Sequence, residues 1–243
     1  MEWVIIALVI LFASVLKGLT GFGFALLAMP FLLIFYPAKL VIPVLTLFNL
    51  LTSTQIILKI PNLKLNRYTL KIPVWGVIGT VPGVVLLNFI EDRPFKIFVG
   101  VMLIIVSVAF LKGFRFKIKD PLRGSVTAGL TSGFLGGFTS ISGPPLALFL
   151  TSLNVSNDDF RGKFAYFNIA TATLALIGYA FSHMLTGQTL KITAFQLPIM
   201  IFGILIGQKL SRIVSVSLFQ KICILITLFS GFITLFAVLH PIG

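Results

Sequence analysis

The chain is poor in charge, and in acids above all. Of its 243 residues only 10% are charged, with 6 Asp and Glu against 19 Lys and Arg. A soluble domain carries about 25% charged residues, so a soluble globular protein is excluded. The single Cys223 has no partner in the chain, which excludes a disulfide-stapled secreted domain. Two histidines, His183 and His240, are too few and too far apart in sequence to suggest a metal site, and no metal or other cofactor is expected. No G-x-x-x-x-G-K-[ST] phosphate loop occurs; Lys163 follows Gly162 but lacks the upstream Gly and the hydroxyl after it. ATP-driven pumping by this chain alone is therefore not expected. The net charge of +13 would ordinarily suggest nucleic acid, but that use needs a soluble basic face. Here the excess is assigned to loops touching anionic lipid headgroups, and no nucleic-acid partner is expected.

What the chain has in abundance is apolar surface, with 58% hydrophobic residues. Uncharged runs cover Trp3–Leu16, Gly18–Ala38, Leu40–Leu58, Ile72–Ile90, Ile97–Leu111, Gly124–Asn157, Phe164–Leu190, Ile192–Gln208 and Ile222–Leu239. A membrane-spanning helix needs about 20 apolar residues, and most of these runs qualify. None alternates with the period of two that marks a membrane β-barrel. The expected class is an all-α polytopic membrane protein in contact with lipid. The first run carries Glu2 instead of a basic flank and continues without a small-residue cleavage site, so a removable signal peptide is not expected.

Two stretches do not fit a simple span. Trp3–Tyr36 is interrupted by Lys17-Gly18-Leu19-Thr20-Gly21-Phe22-Gly23, leaving apolar pieces that each cover about two-thirds of a bilayer. Gly124–Leu153 is interrupted by glycines and by Ser142-Gly143-Pro144-Pro145. Glycine permits non-helical backbone, and Pro145 lacks an N–H and clashes with a preceding turn. Broken backbone at membrane depth survives only where protein or a cavity surrounds it. Both stretches are expected to be re-entrant hairpins, with Pro30, Pro144 and Pro145 structural or gating residues.

The two stretches also align. Gly18-x-x-Gly21 matches Gly133-x-x-Gly136, and Pro30 then falls on Pro145. Further along, Phe48-Asn49-x-x-Thr52-x-Thr54 matches Phe167-Asn168-x-x-Thr171-x-Thr173, Gly79-x-x-x-Gly83 matches Gly203-x-x-x-Gly207, and Phe95 meets Phe219. The ordered set points to two repeats, 1–115 and 116–243, each a broken hairpin followed by three transmembrane helices within one membrane domain. Three loops are basic: Lys59–Lys71 with Lys64 and Arg67, Lys112–Arg123 with Arg115, Lys117 and Lys119, and Lys209–Lys221 with Arg212. The positive-inside rule places all three in the cytoplasm. They agree only if Gly124–Leu153 returns to the side it left, which makes the repeats inverted and turns both termini outward.

Inverted repeats with discontinuous helices are the recurrent build of secondary transporters. Helix N-termini at the breaks present unpaired N–H groups and partial positive charge, suited to anions. Small donors line the breaks: Thr20 in one half, Thr139, Ser140 and Ser142 in the other. Lys17-Gly-Leu-Thr-Gly-Phe-Gly-Phe…Pro30 and Gly133-Phe-Leu-Gly-Gly-Phe-Thr-Ser-Ile-Ser-Gly-Pro-Pro145 resemble the paired signatures of the sulfite exporter TauE/SafE family, also called toluene-sulfonate uptake permeases. The resemblance spans essentially the whole chain. It implies a bacterial or archaeal inner-membrane transporter, not an enzyme, for small sulfur-containing anions such as sulfite, sulfoacetate or thiosulfate. Members differ in substrate and direction, and a homodimer is one assembly open to the chain.

The expected substrate site comprises Lys17, Gly18, Thr20, Gly21, Phe22 and Gly23 from the first break and Gly136, Gly137, Phe138, Thr139, Ser140, Ser142 and Gly143 from the second. Asn49 and Asn168 join it from equivalent places in long apolar helices. Lys17 is the one cation near mid-membrane, where an ionisable group is costly and functional by default; it is expected to attract the anion, or else to snorkel to a polar surface. The asparagines either bond to the hairpins or donate to substrate oxygens. Phe22 and Phe138 either wall the site or pack. Arg161 and Lys163 follow Asn157-Asp158-Asp159, which suggests an acidic helix N-terminus with local ion pairs, or a gate at the cytoplasmic mouth. The six acids, Glu2, Glu91, Asp92, Asp120, Asp158 and Asp159, all map to ends or loops, so no mid-span carboxylate carries protons or sodium. The expected activity is export by alternating access, driven by membrane potential. The alternatives are a proton- or sodium-coupled permease for another small organic anion and, further off, a membrane enzyme or a non-transporting subunit.

Overall fold

The computed structural model describes residues 2–60, 66–113, 120–153, 155–211 and 216–239. Lys64, Arg115, Lys117, Lys119, Arg212 and His240 lie outside the described residues, as does the side chain of Phe219. Ten helices follow one another, with no strand among the described residues: α1 Glu2–Thr20, α2 Phe24–Phe35, α3 Ala38–Leu58, α4 Arg67–Phe89, α5 Asp92–Leu111, α6 Pro121–Thr139, α7 Gly143–Ser152, α8 Asn157–Phe181, α9 Gly187–Leu210 and α10 Val216–Leu239. Six of them, α1, α3, α4, α5, α8 and α9, are long and apolar enough to cross a membrane. Side chains such as Phe181, Phe195, Phe229 and Phe236 are exposed on the outer surface. In a soluble protein they would form an aggregation-prone patch, whereas in a bilayer lipid covers them.

Close contacts give the helices their directions. Gly76 meets Gly133 and Gly83 meets Phe134 and Gly137, so α4 and α6 run parallel. Gly203 meets Leu11 and Ser14 while Gly207 meets Val15, Gly18 and Leu19, so α1 and α9 run parallel too. Gly100 meets Leu235 while Gly231 meets Leu103 and Ile104, which makes α5 and α10 antiparallel. Ala38 N–H donates to Asp92 Oδ1 at 2.6 Å and Lys39 Nζ to the Asn88 carbonyl at 2.8 Å. The start of α3, the end of α4 and the start of α5 therefore share one face. The ends of α3, α5 and α9 and the starts of α4, α6 and α10 lie on the other, which carries Lys59, Arg67, Lys71, Lys112, Arg123, Lys209 and Lys221.

The hairpins differ from expectation in where they break. Helix α1 runs unbroken through Lys17 and Gly18 to Thr20; its 19 residues measure about 28 Å, near the hydrocarbon thickness. The chain turns only at Gly21 and Gly23, whose φ angles of 89° and 90° lie in the left-handed region that glycine adopts without a Cβ penalty. Lys17 is thus a full turn before the tip. Helix α6 likewise continues through Gly133, Gly136 and Gly137, and the second turn is Ser140–Ser142, with Ser140 at φ 58°. Pro144 and Pro145 begin α7 instead of breaking a helix, since N–H groups in the first turn have no intrahelical acceptor. The cap of α8 is Ser156, whose Oγ accepts from Asp159 N–H at 3.2 Å, with Asp158 and Asp159 inside the first turn.

Helix α2 returns toward the face where α1 began. There burial raises the phenol pKa of Tyr36, and the Glu2 carboxylate adds to the shift. Helix α7 returns toward the basic face where α6 began, its Leu146 and Leu150 packing with Ile72, Phe164 and Phe167. The two turns therefore approach each other from opposite faces, with α3 and α8 between them.

Candidate functional site

The turns meet around Asn49 of α3 and Asn168 of α8, which are 8% and 4% exposed. Each asparagine bonds the second turn. Asn49 Nδ2 donates to Ser140 Oγ at 2.9 Å and to the Ser140 carbonyl at 3.1 Å. Asn168 Oδ1 accepts from Ser142 Oγ at 2.8 Å. Thr46, one turn before Asn49, adds a bond to Ser140 Oγ at 3.1 Å. Asn168 Nδ2 has no hydrogen-bond acceptor among the described residues.

Two small cavities flank this polar wall, and both are lined by Asn49, Ser140, Ser142 and Asn168. The first opens toward the basic face, between the first turn (Phe22, Gly23) with the start of α2 (Phe24, Ala25, Leu26) and the start of α7 (Gly143), beside Phe164. The second lies toward the opposite face, against Thr46, Gly136, Thr171, Ala172 and Ala175. Each leaves about 10 Å³ for the centre of a water molecule, room for one water at most. Neither cavity holds anything larger than that in this arrangement.

The first cavity has the electrostatics of an anion site. Helix α2 points its N-terminus into it, and its N-cap, Gly23, has no side chain to satisfy the N–H groups of Phe24, Ala25 and Leu26. Helix α7 points its N-terminus there as well, with Ser142 making no cap bond to it. Two prolines remove N–H groups from that second terminus, so α2 is the stronger donor. None of the described acids lines either cavity.

The other expected residues are sorted by distance from this cavity. Thr20 and Thr139 close the turns themselves: Thr20 Oγ1 accepts from Phe22 N–H at 3.3 Å, and Thr139 Oγ1 from Ile141 N–H at 3.2 Å. Gly18 and Gly137 are packing positions, since a Cβ there would stand 2.5 Å from the carbonyl oxygens of Ile204 and Thr80. Phe138 packs with Phe95, Phe98 and Phe134 away from the cavities, whereas Phe22 stacks on Phe164 with centroids 5.5 Å apart. Phe110 and Phe160 complete the cluster around Phe22. Pro30 lies inside α2. Lys17 lines neither cavity; it is fully buried and touches the site only through Asn49, whose Oδ1 accepts from Lys17 Nζ at 2.8 Å. Arg161 ties the first hairpin to two other helices, with Nη2 donating to the Gly18 carbonyl at 2.7 Å, Nη1 donating to Ser211 Oγ at 3.2 Å, and an ion pair to Asp158 at 3.7 Å.

Sequence reasoning missed Thr46, Ser53 and Phe164. The signal was helical spacing: Thr46 and Ser53 lie three before and four after Asn49, and Phe164 lies four before Asn168, each on the asparagine's own face.

A family model described as sulfite exporter TauE/SafE matches residues 6–234. Neither a curated protein nor a solved structure matches the chain.

Proposed function

The chain belongs to the sulfite exporter TauE/SafE family, a membrane transporter family, and we propose that it moves small sulfur-containing anions, sulfite or short organosulfonates, through the Asn49–Asn168 site. One observation carries this reading: the uncapped N-terminus of α2, the start of α7 and the amide of Asn168, bonded only through its oxygen, border a cavity without carboxylates. Sulfonate-type oxygens match such a set because each accepts from several N–H donors and bears the charge that the helix termini favour.

The halves 1–115 and 116–243 are inverted repeats in this reading. Support comes from packing that recurs with the halves exchanged: α1 on α9 and α6 on α4, α3 on α9 and α8 on α4, with α3 on α8 and α5 on α10 across the middle. The basic face is cytoplasmic, by the bias of Lys and Arg toward that side, so both termini face outward from the inner membrane. Transport alternates by rocking of the halves about the α3–α8 contact. Opening toward the cytoplasm separates Phe22 from Phe164 and Phe160, and breaks the contact of Arg161 with Gly18. An inside-negative potential of about 100 mV supplies about 2.3 kcal/mol per charge leaving the cell, which sustains about fifty-fold accumulation of a monoanion outside.

The test is thermal unfolding of purified protein with sulfite, sulfate, thiosulfate, sulfoacetate, taurine and acetate, followed by flux in proteoliposomes under an imposed potassium diffusion potential. Stabilisation by a sulfur oxyanion or sulfonate, with flux that follows the potential, is the expected result. Stabilisation by none of them sinks the substrate assignment, and flux that ignores the potential but needs a proton or sodium gradient sinks the energetics.

A further inference from the structure

Lys17 is a buried lysine without a carboxylate. It is 0% exposed in the middle of the helix packing, and none of the ion pairs among the described residues involves it. Its Nζ instead donates to three neutral oxygens of α3: Asn49 Oδ1 at 2.8 Å, the Asn49 carbonyl at 3.1 Å and Ser53 Oγ at 3.1 Å. Three acceptors match the three protons of an ammonium. Divalent ions favour carboxylate-rich shells, whereas a cluster of carbonyl and hydroxyl oxygens suits one positive charge. Snorkelling does not describe this side chain, because its head is held inside the bundle.

We propose that Asn49 and Ser53 form a monovalent-cation site and that Lys17 fills it with a tethered cation, so the transporter needs no bound metal cation at this position. The site reaches the anion cavity through one side chain. Because Asn49 turns Oδ1 to Lys17, its Nδ2 faces Ser140, and Ser140 lines both cavities. Without the ammonium, buried oxygens lose their donor, and the orientation of the amide rests on its bonds to Ser140 alone. The cation site stands on its own geometry; only its link to anion binding rests on the function proposed above.

Lys17→Ala tests the idea, because n-propylammonium replaces the three methylene carbons and the nitrogen that the substitution removes. Unfolding is followed in sodium, n-propylammonium and choline chloride at equal ionic strength, without sulfite. The wild-type chain is expected to unfold at the same temperature in all three. The variant is expected to be least stable in choline and to gain about 3 °C or more in sodium or n-propylammonium. Equal stability of the variant in the three salts overturns the proposal. Failure to recover it in any of them does so too, since a cation site must accept a replacement. A second measurement needs no variant: sulfite is expected to stabilise the wild-type chain equally in sodium and in choline. Stabilisation only in sodium overturns the tethered-cation reading. A wild-type chain that no sulfur oxyanion stabilises counts against the anion site alone, because the cation response of the variant is read without sulfite.

Discussion

Asn49 of α3 and Asn168 of α8 border the same two cavities, yet their amides are bonded differently. The amide of Asn49 is spent on Lys17 and Ser140, while that of Asn168 is bonded only through its oxygen and borders both cavities. A hydrogen bond to a charged partner contributes about 1.5–3 kcal/mol. Asn168→Ala is therefore expected to weaken sulfite binding by about tenfold to a hundredfold by titration calorimetry, with the fold intact. Tyr179→Phe is the control at the same scale. Tyr179 is buried, lines neither cavity, and donates to the Gly137 carbonyl at 2.7 Å. Its loss is expected to cost about 1 kcal/mol of stability, read as a lower unfolding temperature, and to leave sulfite affinity by titration calorimetry unchanged.

At the scale of elements, the glycines divide by what surrounds them. Along α4 and α6 they let two backbones touch: a Cβ at Gly133 would run into the carbonyl of Gly76, with no flexible side chain to yield. Gly133→Ala is expected to destabilise by about 1–3 kcal/mol through overpacking, read as a lower unfolding temperature. Gly187, the first residue of α9, has nothing within 4 Å of such a Cβ. Gly187→Ala is expected to stabilise by about 0.4–1 kcal/mol, because it restricts only the unfolded chain. Gly21 is a third kind. It needs a positive φ and also leaves room for Arg161, whose Cγ lies 2.8 Å from where a Cβ would stand. The existence of both hairpins was legible in the spacing of glycines and prolines. Their turning points were not, because a helix tolerates glycine when a neighbouring helix fills the space above it, as α9 does at Gly18 and α4 at Gly137.

For the whole molecule, the packing puts the described residues of the three basic loops on one face, with Lys39, Arg93, Lys96 and Lys191 toward the other, and the proposed sidedness rests on that difference. Cysteines placed at Lys112 and Lys209 are expected to react with a membrane-impermeant maleimide only in inverted vesicles, and cysteines at Asn88 and Gln188 only in intact spheroplasts. The native Cys223 is buried and gives a low background. Labelling of all four from one side would contradict the parallel and antiparallel pairings that define the two faces.

The sequence by itself determined the membrane class, the helical architecture and the presence of two glycine-rich breaks, because these depend on composition and on residues close together along the chain. It also singled out Lys17, Asn49 and Asn168, since polar groups are conspicuous in apolar runs. Only the tertiary structure decided their partners. The partners of Lys17 lie 32 and 36 residues away, and the second partner of the Asn49 amide, Ser140, lies 91 residues away. Which oxygen meets an ammonium, and which amide is bonded only through its oxygen, depends on how two helices rotate against each other. Local periodicity carries no record of that angle, whereas the backbone contacts at Gly18, Gly133 and Gly137 set it.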